Sequence, residues 1–274
     1  EDDVTVGAPA GDTQVRRVES NGVRQTIAVS MVYKVPVSLG DTRQERSSET
    51  TDMPITTRIS LNAGMPRVEV ETTVANDASD HRLRVHFPVP VEVDTFDAEG
   101  PMDVITRSVD LPTDTEEWVE KPVGTHPQRT WSDVSDGEVG LLVANRGLPE
   151  VEVLRTESGS ELAVTLLRSV GWLSRGDLAV RKGHAGPGLP TPGAQCHDTY
   201  TFHYALVPHR GTWQQAYGQA HAFNAPFRAV VVPPREGSLP PAQSLIEVSP
   251  EGMVVSTIKK AEDGDGLMVR MWNV

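Results

Sequence analysis

The stretch from Arg67 to Val93 constrains the fold of this chain most, because apolar and polar side chains alternate on both sides of a short polar segment. Period-two patterning of this kind predicts strands with one buried face. The segment Asn76 to Asp80 consists of residues that favour turns. We therefore predict one long antiparallel hairpin, and a second sheet that covers its apolar face, because two strands alone are marginal in water. The alternating positions are Val68, Val70, Thr72 and Val74 before the turn and Leu83, Val85 and Phe87 after it.

The rest of the chain carries further strand patterns and one stretch with helical spacing. Pro88 and Pro90 predict that the far end of the hairpin lies at a sheet edge or bends away, since proline cannot donate to a ladder. Apolar residues recur every three or four positions between Gly211 and Phe223, which predicts a helix. The pattern as a whole predicts an all-β fold with sheet packed on sheet and one short helix. The other predicted strands are Thr26–Val37, Ile55–Leu61, Thr130–Val134, Val139–Ala144, Val151–Arg155, Leu162–Leu167, Tyr200–Val207, Ala229–Val232, Leu245–Val248, Met253–Lys259 and Leu267–Trp272.

Two segments interrupt this series of strands. Residues Asp94 to His126 are acidic and irregular, and we interpret them as a connection that crosses the sandwich. Residues Gly171 to His197 form the longest irregular segment, and their glycine and proline content is incompatible with a regular element. A long loop inside a compact domain is usually either functional or disordered. The second segment is therefore the first place to search for a functional site.

Charge and composition exclude several classes of function. The net charge of −13 opposes binding to nucleic acid and to anionic membrane surfaces. No apolar run reaches the roughly 18 residues of a membrane span, and the first residues are acidic rather than signal-like. The single Cys196 excludes an internal disulfide, and the sequence has no Asn-x-Ser/Thr acceptor. We expect a protein of a reducing, bacterial-type cytoplasm, without a nucleic-acid or membrane partner.

No complete active site is visible in the sequence. Cys196, His197, His203 and His209 lie closest to a metal-site pattern, but their spacing does not make them converge on one ion. The paired acids Asp77 with Asp80, Asp133 with Asp136, and Asp263 with Asp265 fall in predicted turns, where Asp serves local hydrogen bonding. The chain has no Gly-x-Ser-x-Gly motif and no phosphate-binding glycine loop. We expect no metal or cofactor in this chain.

Four blocks together resemble the C-terminal β region of glycoside hydrolase family 38, the α-mannosidases of bacterial type. They are ANDASDHRLRVHFP at 75–88, WSDVSDGEVGLLVANRGLPEVEV at 131–153, LLRSVGWLSRGDL at 166–178 and STIKKAEDGDGLMVRMWN at 256–273. The blocks follow the order that the family shows, and the likeness begins at about residue 25. The resemblance implies a supersandwich, similar to galactose mutarotase, of two large antiparallel sheets with one short helix.

The same resemblance implies that catalysis belongs to another domain of the enzyme. Catalysis in the family resides in an N-terminal barrel that holds zinc or a similar divalent metal, and no residue of this chain matches those ligands or the nucleophile. The expected partners are that barrel and an oligosaccharide or mannoside of mannose metabolism, with assembly into homo-oligomers as a further expectation. We expect a poorly ordered segment at 1–24, the β domain at 25–232, a Pro-rich linker at 233–243 and a truncated C-terminal β segment at 244–274.

The loop that follows Trp172 is the candidate contribution to a substrate cleft. Arg175, Asp177, Arg181, Lys182 and His184 are suited to bind sugar hydroxyls or a substrate carboxylate. The alternative is a solvated loop in which Arg175 pairs with Asp177.

Two other classes of function stay open. The first is a stand-alone carbohydrate-binding module, which would use exposed aromatic platforms at Trp118, Trp172 or Trp213. The second is a mutarotase-like enzyme, which would need a histidine and a carboxylate on one concave sheet face. Fold analogy alone does not establish that activity.

Overall fold

The computed structural model of the protein describes residues 4–178, 180–249 and 252–274. The first three residues of the predicted N-terminal segment, residue 179 of the long loop and residues 250 and 251 of the predicted C-terminal segment lie outside the described residues. The strands are β1 (Gln14–Ser20), β2 (Arg24–Pro36), β3 (Thr50–Asn62), β4 (Val68–Asn76), β5 (Arg82–Val89), β6 (Thr95–Gly100), β7 (Asp103–Ser108), β8 (Thr125–Pro127), β9 (Trp131–Ser135), β10 (Val139–Asn145), β11 (Glu150–Thr156), β12 (Gly159–Arg168), β13 (Asp198–Arg210), β14 (Met253–Lys260) and β15 (Leu267–Asn273). The helices are α1 (Tyr217–Asn224) and two 3-10 turns at Pro192–Gln195 and Trp213–Gln215.

Two antiparallel sheets make up the body of the protein. The larger has nine strands in the order β1-β2-β3-β4-β13-β10-β9-β6-β7, and the smaller has four in the order β5-β12-β11-β8. Apolar side chains from both sheets meet in one core, in which Val70 and Tyr204 of the large sheet pack with Phe87, Val151 and Leu162 of the small one. The all-β, sheet-on-sheet prediction is confirmed.

The predicted hairpin between Arg67 and Val93 is wrong in its pairing. Strand β4 pairs with β3 and β13 in the large sheet, whereas β5 pairs with β12 in the small one. The segment 77–81 therefore arches from one sheet to the other, and the two strands face each other across the core. Alternation identifies which side chains are buried, but it does not identify the strand that supplies the hydrogen bonds. The edge prediction for the proline-containing strand is confirmed, because β5 lies at the edge of its sheet.

Other predicted elements differ from the structure in similar ways. The segment 94–126 contains the strands β6 and β7 and the start of β8. The buried Glu99 breaks the apolar pattern of β6, and most side chains of the short strand β7 are exposed. The blocks at 229–232 and 245–248 form no strand. Most of their side chains are exposed to solvent. Six of the predicted strands pair as the hairpins β9–β10, β11–β12 and β14–β15, and β10 and β11 belong to different sheets.

The α-helix α1 packs on the outer face of the nine-stranded sheet. It buries Ala220 and Phe223 against Leu142 of β10 and Val207 of β13. The helix begins later than the sequence predicts, because Thr212 and Gln215 form a capping box around the preceding 3-10 turn. None of the helices in the described part of the chain is long and apolar enough to cross a membrane.

The N-terminal segment contains a strand where we expected poor order. Strand β1 pairs with β2 from Gln14 to Ser20, although every one of its side chains is exposed. Backbone pairing at a sheet edge needs no apolar alternation, which explains why the pattern does not reveal it. The division of the chain into a domain, a linker and a C-terminal segment stays a prediction.

Candidate functional site

The arch between β4 and β5 anchors the long loop at its C-terminal end. Asn76, which is buried, donates through Nδ2 to the backbone oxygen of Cys196 at 2.9 Å. Asp80 and Gln195 form a reciprocal pair, in which the Asp80 amide donates to Gln195 Oε1 at 2.9 Å and Gln195 Nε2 donates to Asp80 Oδ1 at 2.8 Å. The acidic turn residues thus have the structural role that the sequence predicts for Asp80. Together with Asn76, Asp80 fixes the C-terminal end of the loop.

Ser174 holds the interior of the loop in place. Its hydroxyl accepts hydrogen bonds from the backbone amides of Ala185 and Gly186, at 3.2 and 2.9 Å, and donates to the Gly186 oxygen at 3.1 Å. The side chain is buried. Gly176 lies against His184, since a Cβ at position 176 would meet the imidazole Nε2 at 3.0 Å. The two halves of the loop are therefore closed on each other.

Two guanidinium groups lie over the ring of Trp172. The Arg43 guanidinium carbon is 4.0 Å from the ring centroid and that of Arg175 is 5.0 Å from it. Cation–π contacts of this kind stabilise a pair by about 0.5–1 kcal/mol at exposed sites. Arg43 comes from the loop between β2 and β3, so the cluster joins two segments that are distant in sequence.

This cluster lines an open pocket of about 340 Å³. The lining residues are Arg43, Trp172, Arg175, Gly176, Asp177, His184 and Gly188. Of the five predicted residues, the pocket brings together Arg175, Asp177 and His184. Arg181 turns away and binds Glu120 at 3.1 Å, and Lys182 forms a backbone bridge with Asp177. Neither Arg181 nor Lys182 lines the pocket.

Arg175 and Asp177 form the internal pair of the alternative interpretation. Arg175 Nε donates to Asp177 Oδ1 at 2.8 Å, and its Nη2 contacts the second carboxylate oxygen. This bidentate geometry occupies one edge of the guanidinium and holds it over the Trp172 ring. Arg43, by contrast, has no carboxylate partner within the described residues. Among the described residues, none donates or accepts a hydrogen bond at the Arg43 guanidinium, which leaves its edge open to the pocket.

Sequence reasoning missed Arg43. It lies in a polar loop with no motif, and its backbone has a positive φ of 63°. Only the folded chain brings this loop against Trp172, so no local signal identifies the residue.

The aromatic platforms of a binding module are not assembled. Trp118 is 50% exposed, but Trp172 is half-buried beneath two guanidinium groups. Trp213 packs against Trp131 with ring centroids 5.5 Å apart. The three tryptophans therefore do not form one exposed face.

The residues weighed as metal ligands are dispersed. His209 binds Asp133 at 2.6 Å, and His197 Nε2 lies 2.8 Å from the hydroxyl of Ser79. Within residues 4–178, 180–249 and 252–274, no three His, Cys, Asp or Glu side chains form a group that could hold a metal ion.

Comparisons with known proteins agree with the resemblance found in the sequence. Residues 3–177 match the model of the glycosyl hydrolases family 38 C-terminal domain. A curated relative from Halalkalibacterium halodurans, named "Putative mannosylglycerate hydrolase", is 30% identical over 288 residues, which cover 99% of this chain and 30% of the relative. "Alpha-mannosidase 2C1" of Mus musculus is 27% identical over 203 residues, covering 74% of this chain and 17% of that protein. The chain thus spans less than a third of the curated relatives it matches.

Two solved structures share the fold. One is an α-mannosidase from Enterococcus faecalis, with a TM-score of 0.78 and 28% identity over 96% of this chain and 30% of that one. The other is a protein in glycosyl hydrolase family 38 from the same organism, with a TM-score of 0.76 and 26% identity at the same coverage.

Proposed function

Because this chain belongs to the family of glycosyl hydrolase family 38 C-terminal domains, we propose that it is the non-catalytic β domain of an α-mannosidase-like retaining glycoside hydrolase. In this proposal it packs against the catalytic barrel of the longer enzyme and lends the loop after Trp172 to the rim of the substrate cleft. The barrel supplies the divalent metal and the nucleophile. The substrate is an α-mannoside.

The observation that carries the proposal is the pocket at Trp172. Arg43, Arg175 and His184 concentrate donors in one place, whereas the chain as a whole has a net charge of −13. Donors of this type bind sugar hydroxyls and carboxylates. Ser174 and the reciprocal pair of Asp80 and Gln195 hold the loop in one shape, which lowers the entropy lost on binding.

Each residue has a separate role in this proposal. Asp177 orients the Arg175 guanidinium over the Trp172 ring, so that Arg175 presents its remaining edge to the cleft. Arg43 uses its free edge for the group attached to the mannose. The name of the Halalkalibacterium relative contains a glycerate, which is a carboxylate, and this agrees with an arginine in that role.

The test uses the longer enzyme that contains this domain, with an aryl α-mannoside as the substrate. We expect Arg175→Ala and Asp177→Ala to lower kcat/KM by roughly tenfold each, the loss expected for one charge-assisted hydrogen bond. Arg43→Ala is expected to do the same only for a mannoside whose attached group carries a carboxylate. Arg168→Ala is the matched control, because Arg168 is exposed at the end of β12. Unchanged kinetic constants at both loop positions, Arg175 and Asp177, would remove the loop from the substrate cleft.

The proposed lack of catalysis is tested separately. The isolated chain is expected to show no turnover of the aryl mannoside with or without added zinc. Turnover by the isolated chain would mean that a complete catalytic site lies among its own carboxylates and histidines.

A further inference from the structure

A second cleft, of about 490 Å³, lies on the outer face of the nine-stranded sheet, beside the end of α1. It shares no residue with the pocket at Trp172. Its floor consists of two neighbouring rows of side chains that cross the strands. One row is Arg58, Glu71 and His203, at directly paired positions of β3, β4 and β13. The other row is Thr26, Ser60 and Glu69, two residues along on β2, β3 and β4.

The polar groups of the second row already have hydrogen-bond partners. Thr26 and Ser60 are buried, and their hydroxyl oxygens lie 3.0 Å apart. Arg24 donates to the Ser60 hydroxyl at 3.0 Å, and the buried Arg67 donates to Glu69 at 2.9 Å. These bonds satisfy the polar groups at the bottom of the cleft without a ligand.

The first row differs, because its polar groups face each other across gaps. Glu71 lies 4.0 Å from Arg58 Nη1 and 3.9 Å from His203 Nδ1. Within the described part of the chain, none of these three side chains makes a hydrogen bond of 3.5 Å or less. The row thus presents a carboxylate acceptor between two nitrogen groups, all about half exposed.

We infer that this cleft binds a neutral saccharide, whose hydroxyl groups bridge Glu71 to Arg58 and to His203. A sugar hydroxyl oxygen can lie about 2.8 Å from both members of each pair, because the paired atoms are about 4 Å apart. The angle between its two hydrogen bonds is then roughly 90°, which suits a hydroxyl that donates to the carboxylate and accepts from the nitrogen group. The side chains that line the cleft include three arginines and three glutamates, so their formal charges cancel. A cleft without net charge, inside a chain of −13, favours a neutral polyol over an anion or a cation.

The walls of the cleft set the expected strength of binding. Phe223 is buried, and the Arg146 guanidinium lies 4.2 Å from its ring centroid, so the ring offers no stacking face to a sugar. Binding therefore rests on hydrogen bonds. About four bonds of ordinary net strength give a dissociation constant on the order of 1 mM. Because Glu71 and His203 are open to water, the row is suited to binding rather than to acid–base chemistry that requires a dry site.

The test is a saturation-transfer NMR titration of the protein with methyl α-mannopyranoside and with α-mannobiose. We expect saturation of the sugar protons and a dissociation constant on the order of 1 mM for the wild type. Glu71→Gln, which keeps the shape and removes the charged acceptor, is expected to weaken binding about tenfold. His203→Gln is expected to act in the same direction. The control Glu157→Gln, in the exposed turn between β11 and β12, is expected to bind as the wild type does.

This inference does not rest on the proposed function, and the two fail in different experiments. Arg175→Ala alters the kinetics of the longer enzyme if the loop proposal holds, and it leaves this binding in place. Loss of sugar binding in Arg175→Ala together with retention in Glu71→Gln would assign the sugar to the loop pocket and overturn the inference. The absence of saturation transfer up to about 10 mM sugar, ten times the expected dissociation constant, would overturn it as well. Competition by sulfate would show an anion site instead. Thermal melts of each variant separate loss of binding from loss of fold.

Discussion

His209 on β13 lies 2.6 Å from Asp133 on β9, across the intervening strand β10, with both side chains almost fully buried. Gly140 of β10 makes room for this pair, since a Cβ at position 140 would meet His209 Cε1 at 2.7 Å. Burial lowers the pKa of His209, but the hydrogen bond and the negative charge of Asp133 outweigh this and raise the pKa above its ordinary value of 6.5. Asp133 therefore favours the protonated form of His209, on the outer face of the large sheet.

The contribution of this pair to the free energy of unfolding should depend on pH. A histidine whose pKa is raised in the folded state contributes stability that is complete below the unfolded pKa of 6.5 and is lost as the pH rises through the folded pKa. We expect His209→Gln to lower the free energy of unfolding by about 1–3 kcal/mol at pH 6. The difference from the wild type should shrink as the pH approaches 9. Urea unfolding at several pH values measures it, and a difference that grows with pH would contradict the assignment. His86→Gln is the control, because the pair of His86 with Glu161 is at the surface and contributes little.

Glu99 should behave in the opposite way with pH. Burial raises the pKa of this carboxyl, but hydrogen bonds from His221 and Thr130 outweigh that and lower the pKa below its ordinary value of 4.5. The stabilisation is then present above pH 4.5 and is lost as the pH falls through the folded pKa.

The variant Glu99→Gln tests this directly. It weakens the bond that ties α1, through His221, to β6, and we expect a loss of about 1–3 kcal/mol at pH 7 that shrinks below pH 4.5. Glu92→Gln is the control, since Glu92 is exposed on the surface and should unfold as the wild type does. Equal losses at pH 7 and at pH 3 would contradict the assignment.

Ser174 is predicted to control the shape of the candidate loop. Ser174→Ala removes three hydrogen bonds to the backbone of residues 185 and 186 and should loosen the loop by about 1–3 kcal/mol. Trypsin is the probe, because Arg175, Arg181 and Lys182 all lie within the loop. We expect cleavage there to be at least tenfold faster in Ser174→Ala than in the control Ser158→Ala, whose side chain is exposed. Equal cleavage rates would show that the loop is held by other contacts.

Two glycines with positive φ allow a matched test of packing. At Gly159, with φ of 134°, a Cβ would lie 2.5 Å from the backbone oxygen of Val89 in the neighbouring strand. At Gly147, with φ of 74°, no atom lies within 4 Å of the Cβ position. We expect Gly147→Ala to cost about 1 kcal/mol from the backbone alone, and Gly159→Ala to cost about 3 kcal/mol or more, because the strand must shift as well. Thermal melts compare the two, and equal losses would contradict the close approach.

The sequence predicts the strands of the core better than it predicts their partners. The alternation of β4 and β13 indicates which side chains are buried, and it predicts the ends of both strands to within three residues. The pairing of β4 with β13, and of β5 with β12, depends on contacts between distant segments, which no local pattern contains. Strand β6 is not predicted for a different reason. Its buried Glu99 interrupts the apolar pattern, and the residues that hydrogen-bond to it, Thr130 and His221, are distant in sequence.

The candidate site was predicted in part. The loop and the pairing of Arg175 with Asp177 could be anticipated, because the two residues are two positions apart and opposite in charge. Arg43 could not, since its contact with Trp172 exists only after the arch and the loop have folded. The row of Arg58, Glu71 and His203 was also hidden, because each member is an ordinary polar residue on the outward face of its own strand.

The arch between β4 and β5 also affects the order in which the strands can pair during folding. Strand β4 can pair with β13, and β5 with β12, only after those later segments have been synthesised. Both sheets therefore stay incomplete until then. Non-local pairing of this kind is slow, because the entropy of closing long loops is lost before the contacts form. During synthesis on the ribosome, the open edge of β4 is exposed to other chains for the whole interval, which makes this strand the principal point of vulnerability to misassembly.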